Sequence, residues 1–150
     1  MPDSRVATLE HIGHVTDRII EIIDKLVIRS NEHDKSKLGP IEKPYFDILQ
    51  DMSDIEFGSE AYGKMLMSAT PGIEHHYSVN DHHPEYYENG IRGMSLLAML
   101  EMLADWKAAS IRNKDPDFRH SMFVCKERFH IPDALFNALD KTVSELGWYD

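Results

Sequence analysis

The segment that most constrains the fold is residues 94–113, MSLLAMLEMLADWKAASIRN. It has no Gly or Pro, it is rich in strong helix formers, and Ser95 stands where a helix N-cap is expected. In residues 7–30 the apolar side chains also recur with a helical period, at Leu9, Ile12, Val15, Ile19, Ile22, Ile23 and Leu26. No segment alternates convincingly as a strand would. The chain is therefore predicted to be all-α.

Four further segments have helical character. These segments are residues 41–52, 59–69, 115–129 and 132–148. The helix within residues 7–30 is predicted to start at Thr8. The triplet Thr70-Pro71-Gly72 is predicted to end the third, because proline lacks the backbone N–H of a helix interior. Residues 73–90 are predicted to be a helix end that enters a loop. Because no linker is evident, we expect residues 1–150 to form a single domain, a bundle of about six or seven helices.

Charge and cysteine content exclude several functions. The chain has 26 acidic and 16 basic residues, a net charge of -10, which argues against a nucleic-acid polymer as partner. Cys125 is the only cysteine, so neither an intrachain disulfide nor a thiolate-rich zinc site is expected. No apolar run reaches the roughly 18 to 20 residues of a membrane helix, and no signal peptide is evident. We expect a cytoplasmic protein without a membrane partner, and the apolar helix faces are compatible with a homodimer.

Histidines are concentrated in the first part of the chain. Seven of nine fall within residues 1–83: His11, His14, His33, His75, His76, His82 and His83. Metal binding is a common role of clustered imidazoles. Asp105 interrupts an apolar helix and shares a face with Glu101, one turn earlier. A carboxylate there needs either a salt bridge with an arginine or a cation that it shares with imidazoles.

Three short motifs carry a resemblance to a known superfamily. HIGHV, HDKSK and EMLADW together resemble the HD-domain superfamily of metal-dependent phosphohydrolases, with a helical His, a His-Asp doublet and a distal Asp. HDKSKL, HHYSVNDHHPEYY and LEMLADWKAA resemble more closely a group of small HD-like proteins of bacteriophages and bacteria. The resemblance covers most of residues 8–145 and implies an HD-like helical bundle.

The resemblance also implies a ligand set. His11, His33, Asp34 and Asp105 would hold one divalent transition metal, which could be Mn, Fe, Co, Ni or Zn. Asp34 could bridge to a second ion that is completed by histidines of two pairs, namely His75, His76, His82 and His83. Which member of each pair turns inward stays open at this point. The Asp34 and Asp105 side chains are expected to lie close enough to share a cation.

Other residues receive roles around that centre. Lys37, three residues after Asp34, is expected to contact a phosphate oxygen, and Glu85 is a candidate general acid or base alongside Asp34. Glu42 is expected to orient a ligand histidine, although it could equally be an exposed helix residue, and Glu101 is expected to support the centre without binding the metal. Further substrate contacts are predicted at Arg92 and Trp106.

These features predict a metal-dependent phosphohydrolase that acts on a nucleotide, with a deoxynucleoside 5′-phosphate expected by analogy with the superfamily. Two alternatives stay open. One is an HD-like oxygenase with a mixed-valence diiron centre. The other is a non-catalytic interaction module in which metal holds the helices together.

Overall fold

The computed structural model describes residues 3–51, 59–114 and 117–149, and these residues are all-α, as predicted. Met52 and residues 115–116, which belong to predicted helices, lie outside the described residues. The described residues also include short 3-10 turns at Lys35–Leu38, Pro84–Tyr86 and Gly90–Gly93. The α-helices are α1 (Ser4–Glu32), α2 (Lys43–Asp51), α3 (Glu60–Val79), α4 (Leu96–Arg112), α5 (Phe118–Arg128) and α6 (Asp133–Glu145).

The chain divides into two compact units, Met1–His33 and Asp34–Asp150. The first unit consists of α1, which begins at Ser4 rather than at Thr8. It begins earlier because the Asp3 side chain accepts a hydrogen bond from the backbone N–H of Arg5 and so caps the helix. No residue of α1 is buried. The prediction of a single domain stays a prediction.

The hydrophobic core of the second unit is built around α4. Ser95 caps this helix as predicted, its hydroxyl accepting the N–H of Ala98 at 3.1 Å. The buried side chains of α4 pack with those of α5, α6 and the segment before α4 into one cluster: Ile91, Met94, Ala98, Met99, Met102, Leu103, Phe118, Met122, Ile131, Phe136, Leu139 and Val143. This core anchors α4, which supplies carboxylates to the site described below. None of the helices among the described residues is both long and apolar enough to cross a bilayer.

Helix α3 continues through Pro71, so the prediction that it ends at Thr70-Pro71-Gly72 is wrong. A proline removes one helical hydrogen bond but does not by itself end a helix that tertiary packing supports. Here the support comes from α2, whose Tyr45 lies directly against Gly72. The buried residues of α3 are Ala69, Gly72 and His76, which lie along one face. The packing of α2 on Gly72 therefore also fixes the direction of His76, one turn later.

The contact between Gly72 and Tyr45 leads to a stability prediction. A Cβ added at Gly72 would lie 2.3 Å from the Tyr45 Cβ, well inside van der Waals contact. We expect Gly72→Ala to lower the free energy of unfolding by about 1 to 3 kcal/mol, because α2 and α3 must separate to admit the methyl group. Urea denaturation followed by circular dichroism measures this change.

Gly63→Ala is the matched control on the same helix. Nothing lies within 4 Å of a Cβ added at Gly63. The alanine should raise the free energy of unfolding by about 0.5 kcal/mol through its better helix propensity. Equal effects of the two substitutions would contradict the close α2–α3 packing.

Candidate metal centre

Four side chains of the second unit bring possible metal-binding atoms together. A carboxylate oxygen of Asp34 and one ring nitrogen each of His76, His82 and His83 all lie within 4.8 Å of one another. Asp34 precedes the 3-10 turn at Lys35–Leu38, and His76 lies in the last turn of α3. His82 and His83 follow in the loop after α3. Three segments of the chain thus converge on one point.

The separations between these atoms suit a coordinated cation. The Nε2 atoms of His76 and His83 are 3.0 Å apart, and Asp34 Oδ1 lies 3.2 Å from His76 Nε2 and 3.5 Å from His82 Nε2. Four ligands placed tetrahedrally at the 2.0 to 2.2 Å of zinc–nitrogen and zinc–oxygen bonds are about 3.3 to 3.6 Å apart. The three separations given above, 3.0 to 3.5 Å, are close to this range.

Glu42 fixes the orientation of His76. Its side chain is fully buried, and its Oε2 lies 2.9 Å from His76 Nδ1 and accepts the Ser36 hydroxyl at 2.9 Å. Burial raises the pKa of Glu42, but hydrogen bonds from His75, Ser36 and His76 outweigh it, and the net pKa lies below its usual value. Because an ionised carboxylate only accepts hydrogen bonds, His76 donates from Nδ1 and presents the Nε2 lone pair to the cluster.

A second carboxylate orients His82 in the same way. His82 is buried, and its Nδ1 lies 3.1 Å from Glu101 Oε1 on α4. The opposite nitrogen, Nε2, faces Asp34. A carboxylate–imidazole pair of this kind fixes the tautomer of a ligand histidine and increases its basicity. The structure thus places Glu42 beside His76 and Glu101 beside His82.

Asp34 has an unusual backbone conformation and a depressed pKa. Its φ of 57° is in the left-handed region, which aspartate tolerates better than most residues. Burial raises the pKa of this carboxyl, but the nearby His76 and His82 rings and the Lys37 ammonium group outweigh it and leave the pKa well below normal. Lys37 Nζ lies 2.6 Å from Asp34 Oδ2, on the side away from the histidines. Asp34 is therefore anionic, as a metal ligand must be.

His83 is held in its neutral form. Burial is the largest cause, and the nearby His82 and His76 add to it, while Asp105 and Asp34 act in the opposite direction. Together they lower the pKa of His83 to about 3. A neutral imidazole keeps the lone pair that coordination requires.

Asp105 also reaches the cluster. One of its carboxylate oxygens lies within 4.8 Å of one from Asp34, so the two side chains are close enough to share a cation, as expected. Asp105 stands one turn after Glu101, and the two residues project from one face of α4.

The remaining predicted ligands lie elsewhere or in the first unit. His75 is half-exposed and turns to the other oxygen of Glu42, with Nδ1 at 2.8 Å from Oε1. His11 is exposed on α1, and His33 follows the end of α1, where its N–H binds the carbonyl of Arg29. Metal binding by His11 and His33 stays a prediction.

The predicted catalytic and substrate residues are more widely spread. Lys37 lies beside Asp34, whereas Glu85 forms an ion pair with Arg128 at 2.9 Å and is in none of the possible metal-binding groups of the described residues. Arg92 is exposed on the 3-10 turn Gly90–Gly93. Trp106 packs against the core and stacks on Phe129, with ring centroids 5.8 Å apart. Their roles in catalysis or substrate binding stay predictions.

A cavity beside the cluster was not predicted from the sequence. Its volume is about 670 Å³, within the range of small-molecule sites. Asp34 and Lys37 form part of its wall, with further residues from α2 and from the C-terminal end of α4 with its cap: Phe46, Leu49, Gln50, Arg112 and Asn113. Ser36, which binds Glu42, was also missed, although it lies inside the HDKSK motif.

Together the helices and the cluster define an all-α protein with a candidate metal centre of imidazole and carboxylate groups. A model of a family of unknown function, DUF5662, matches residues 3–146, and the chain belongs to that family. No curated protein and no solved structure gives a significant match.

The contact between Glu42 and His76 leads to a prediction about metal affinity. We expect Glu42→Gln to weaken Zn²⁺ or Mn²⁺ binding by about 10- to 100-fold, because the amide cannot hold His76 by a charge-assisted bond. Isothermal titration calorimetry on metal-free protein measures the change. Glu74→Gln is the control, since Glu74 is exposed on α3. Unchanged affinity in Glu42→Gln, with the fold intact by circular dichroism, would show that Glu42 does not support a metal site.

Metal removal should also change thermal stability. A ligand that binds only the folded state at 100 times its Kd adds about 2.7 kcal/mol. For a chain of this length we expect the Tm to rise by about 5 to 10 °C when Zn²⁺ or Mn²⁺ is added to chelator-treated protein. Differential scanning calorimetry measures the shift. The double variant His76→Ala, His83→Ala should show no shift with metal, and an equal shift would place the binding site elsewhere.

Proposed function

We propose that the protein is a metal-dependent phosphohydrolase that releases phosphate from a nucleotide, with a deoxynucleoside 5′-phosphate as its substrate. The main support is the position of the four-residue cluster beside a cavity that also contains Lys37. A cation site and an ammonium group on one cavity wall match a phosphate ester.

The reaction needs one water molecule per ester. The oxygen of water forms a bond to phosphorus, and the bond between phosphorus and the 5′ oxygen of the sugar breaks. The nucleoside leaves as an alcohol, whose hydroxyl group takes one proton of that water. A divalent cation bound in such a site lowers the pKa of water and neutralises negative charge on the phosphoryl oxygens.

The side chains of the cavity wall hold the substrate and keep the charges in place. Lys37 Nζ lies 2.6 Å from Asp34 Oδ2 and 4.8 Å from the centre of the Phe46 ring, so its ammonium group borders the cavity. There it can donate a hydrogen bond to a phosphoryl oxygen. Asp34 remains anionic over the neutral pH range because its pKa is depressed. Glu42 and Glu101 keep His76 and His82 directed at the same point.

The resemblance of the motifs to the HD-domain superfamily adds support from the sequence. The motifs HDKSK and EMLADW contain Asp34 and Asp105, whose carboxylates lie within 4.8 Å of one another. The choice of a nucleotide rests on this analogy, because fold and ligand set alone are compatible with several reactions.

A phosphate-release screen tests the proposal. Chelator-treated protein is reloaded with Mn, Co, Ni, Zn, Fe or Mg and incubated with each deoxynucleoside 5′-phosphate. We expect release with at least one metal, and at least about a hundredfold loss in Asp34→Ala, which lacks a cluster ligand and a carboxylate beside Lys37. Asp47→Ala is the control, because Asp47 is exposed on α2 and pairs with Lys43. Equal release by wild type and Asp34→Ala would identify a contaminating phosphatase.

Two other results would replace the proposal. If no phosphate is released and anaerobically purified protein with two irons shows a mixed-valence signal, the protein is an oxygenase. If metal raises the Tm but neither turnover nor that signal is found, the cluster only stabilises the fold.

A further inference from the structure

The cavity beside the cluster extends along two helices. On α4, Arg112 follows Asp105 by seven residues, which is close to two full turns. Arg112 therefore projects from the same face as Asp105, about 10 Å further along the helix axis. Because helical side chains lean toward the N-terminus, the Arg112 side chain leans back along the cavity toward Asp105.

Helix α2 forms the wall of the cavity opposite α4. Phe46, Leu49 and Gln50 line the cavity and are spaced at i, i+3 and i+4, so they share one face of α2. Phe46 lies at the cluster end, with its ring centroid 5.4 Å from that of His76. Gln50 stands about one turn, or about 6 Å, further along the α2 axis than Phe46.

The two ends of the cavity therefore differ in chemistry. One end contains the anionic Asp34 of the cluster and the ammonium group of Lys37. Phe46, at this end, and Leu49 give the α2 wall an apolar surface. The far end contains the guanidinium of Arg112 and the amides of Gln50 and Asn113. A ligand that fits carries a phosphate at one end and a flat, hydrogen-bonding group at the other.

We propose that the far end of this cavity binds the base of the nucleotide and selects guanine, with Arg112 as the specificity-determining residue. An arginine presents two parallel N–H donors, which match the O6 and N7 acceptors of guanine. Adenine has a donor in place of O6, so it opposes one of the two arginine donors with another donor. The base packs against Leu49 on the α2 wall, and the amides of Gln50 and Asn113 complete its hydrogen bonds.

Only one part of this inference, the assignment of the phosphate to the cluster end of the cavity, rests on the proposed function. Arg112 also lies in the last turn of α4, where a cation interacts favourably with the helix dipole. That role gives no preference among bases, so base preference separates the two readings.

Binding and turnover are measured in parallel to test the inference. Calorimetry with Mn²⁺-loaded protein compares the Kd values of deoxyguanosine 5′-phosphate and deoxyadenosine 5′-phosphate. We expect the guanine nucleotide to bind about tenfold or more tightly, which is the usual discrimination of one bidentate contact. Phosphate release under the same conditions should show the same ratio in kcat/KM, mainly through KM.

The Arg112→Gln variant should abolish this preference or reverse it toward adenine, because a glutamine amide matches the N6 and N7 atoms of adenine. Lys114→Gln removes a positive charge two residues away and serves as the control for general electrostatics, because Lys114 is exposed and does not line the cavity. It should keep the wild-type preference.

The results distinguish a failure of this inference from a failure of the proposed function. Equal affinity for the two nucleotides, or a guanine preference that survives in Arg112→Gln, would overturn the inference even if phosphate is released. An Arg112-dependent guanine preference in binding without any phosphate release would support the cavity assignment and overturn the hydrolase.

Discussion

The site depends on a negative charge that is buried without access to water. Glu42 has no exposed surface, and an isolated carboxylate in such a place would cost several kcal/mol. It is retained because the two imidazoles of His75 and His76 and the hydroxyl of Ser36 surround it with donors. The same bonds leave the His76 ring no freedom to turn its other nitrogen away from Asp34. The hydrogen bonds that stabilise the buried Glu42 carboxylate therefore also set the orientation of the cluster.

The charge at the cavity differs from the charge of the chain as a whole. With a net charge of -10, the protein as a whole repels anions. The cavity is nevertheless lined by Lys37 and Arg112, and it adjoins a cluster whose donors suit a divalent cation. A cation bound there would reverse the local field at the cavity, where the proposed substrate would place its phosphate. An anionic substrate is therefore compatible with an acidic protein.

The sequence predicted the helices well and the site only in part. Helical periodicity is local, so α4 and its cap at Ser95 could be recognised from residues 94–113 alone. Periodicity could not decide between His75 and His76, because neighbouring residues of a helix point about 100° apart and the choice depends on the packing of α2 on Gly72. That packing also carries α3 through Pro71, which a local rule treats as an end. Arg112 belongs to no recognised motif. Its position at the cavity depends on the way that α2 and α4 face each other, which the sequence does not show.

At Asp34 the backbone conformation and the role of the side chain in the cluster favour different residue types. Its left-handed backbone would suit glycine or asparagine better, and an aspartate there holds strain of the order of 1 kcal/mol. A chain optimised only for folding would replace it. Asp34→Gly would relieve this strain, but it would also remove the carboxylate that faces His76 and His82 and pairs with Lys37, so backbone strain and charge balance are coupled at one residue.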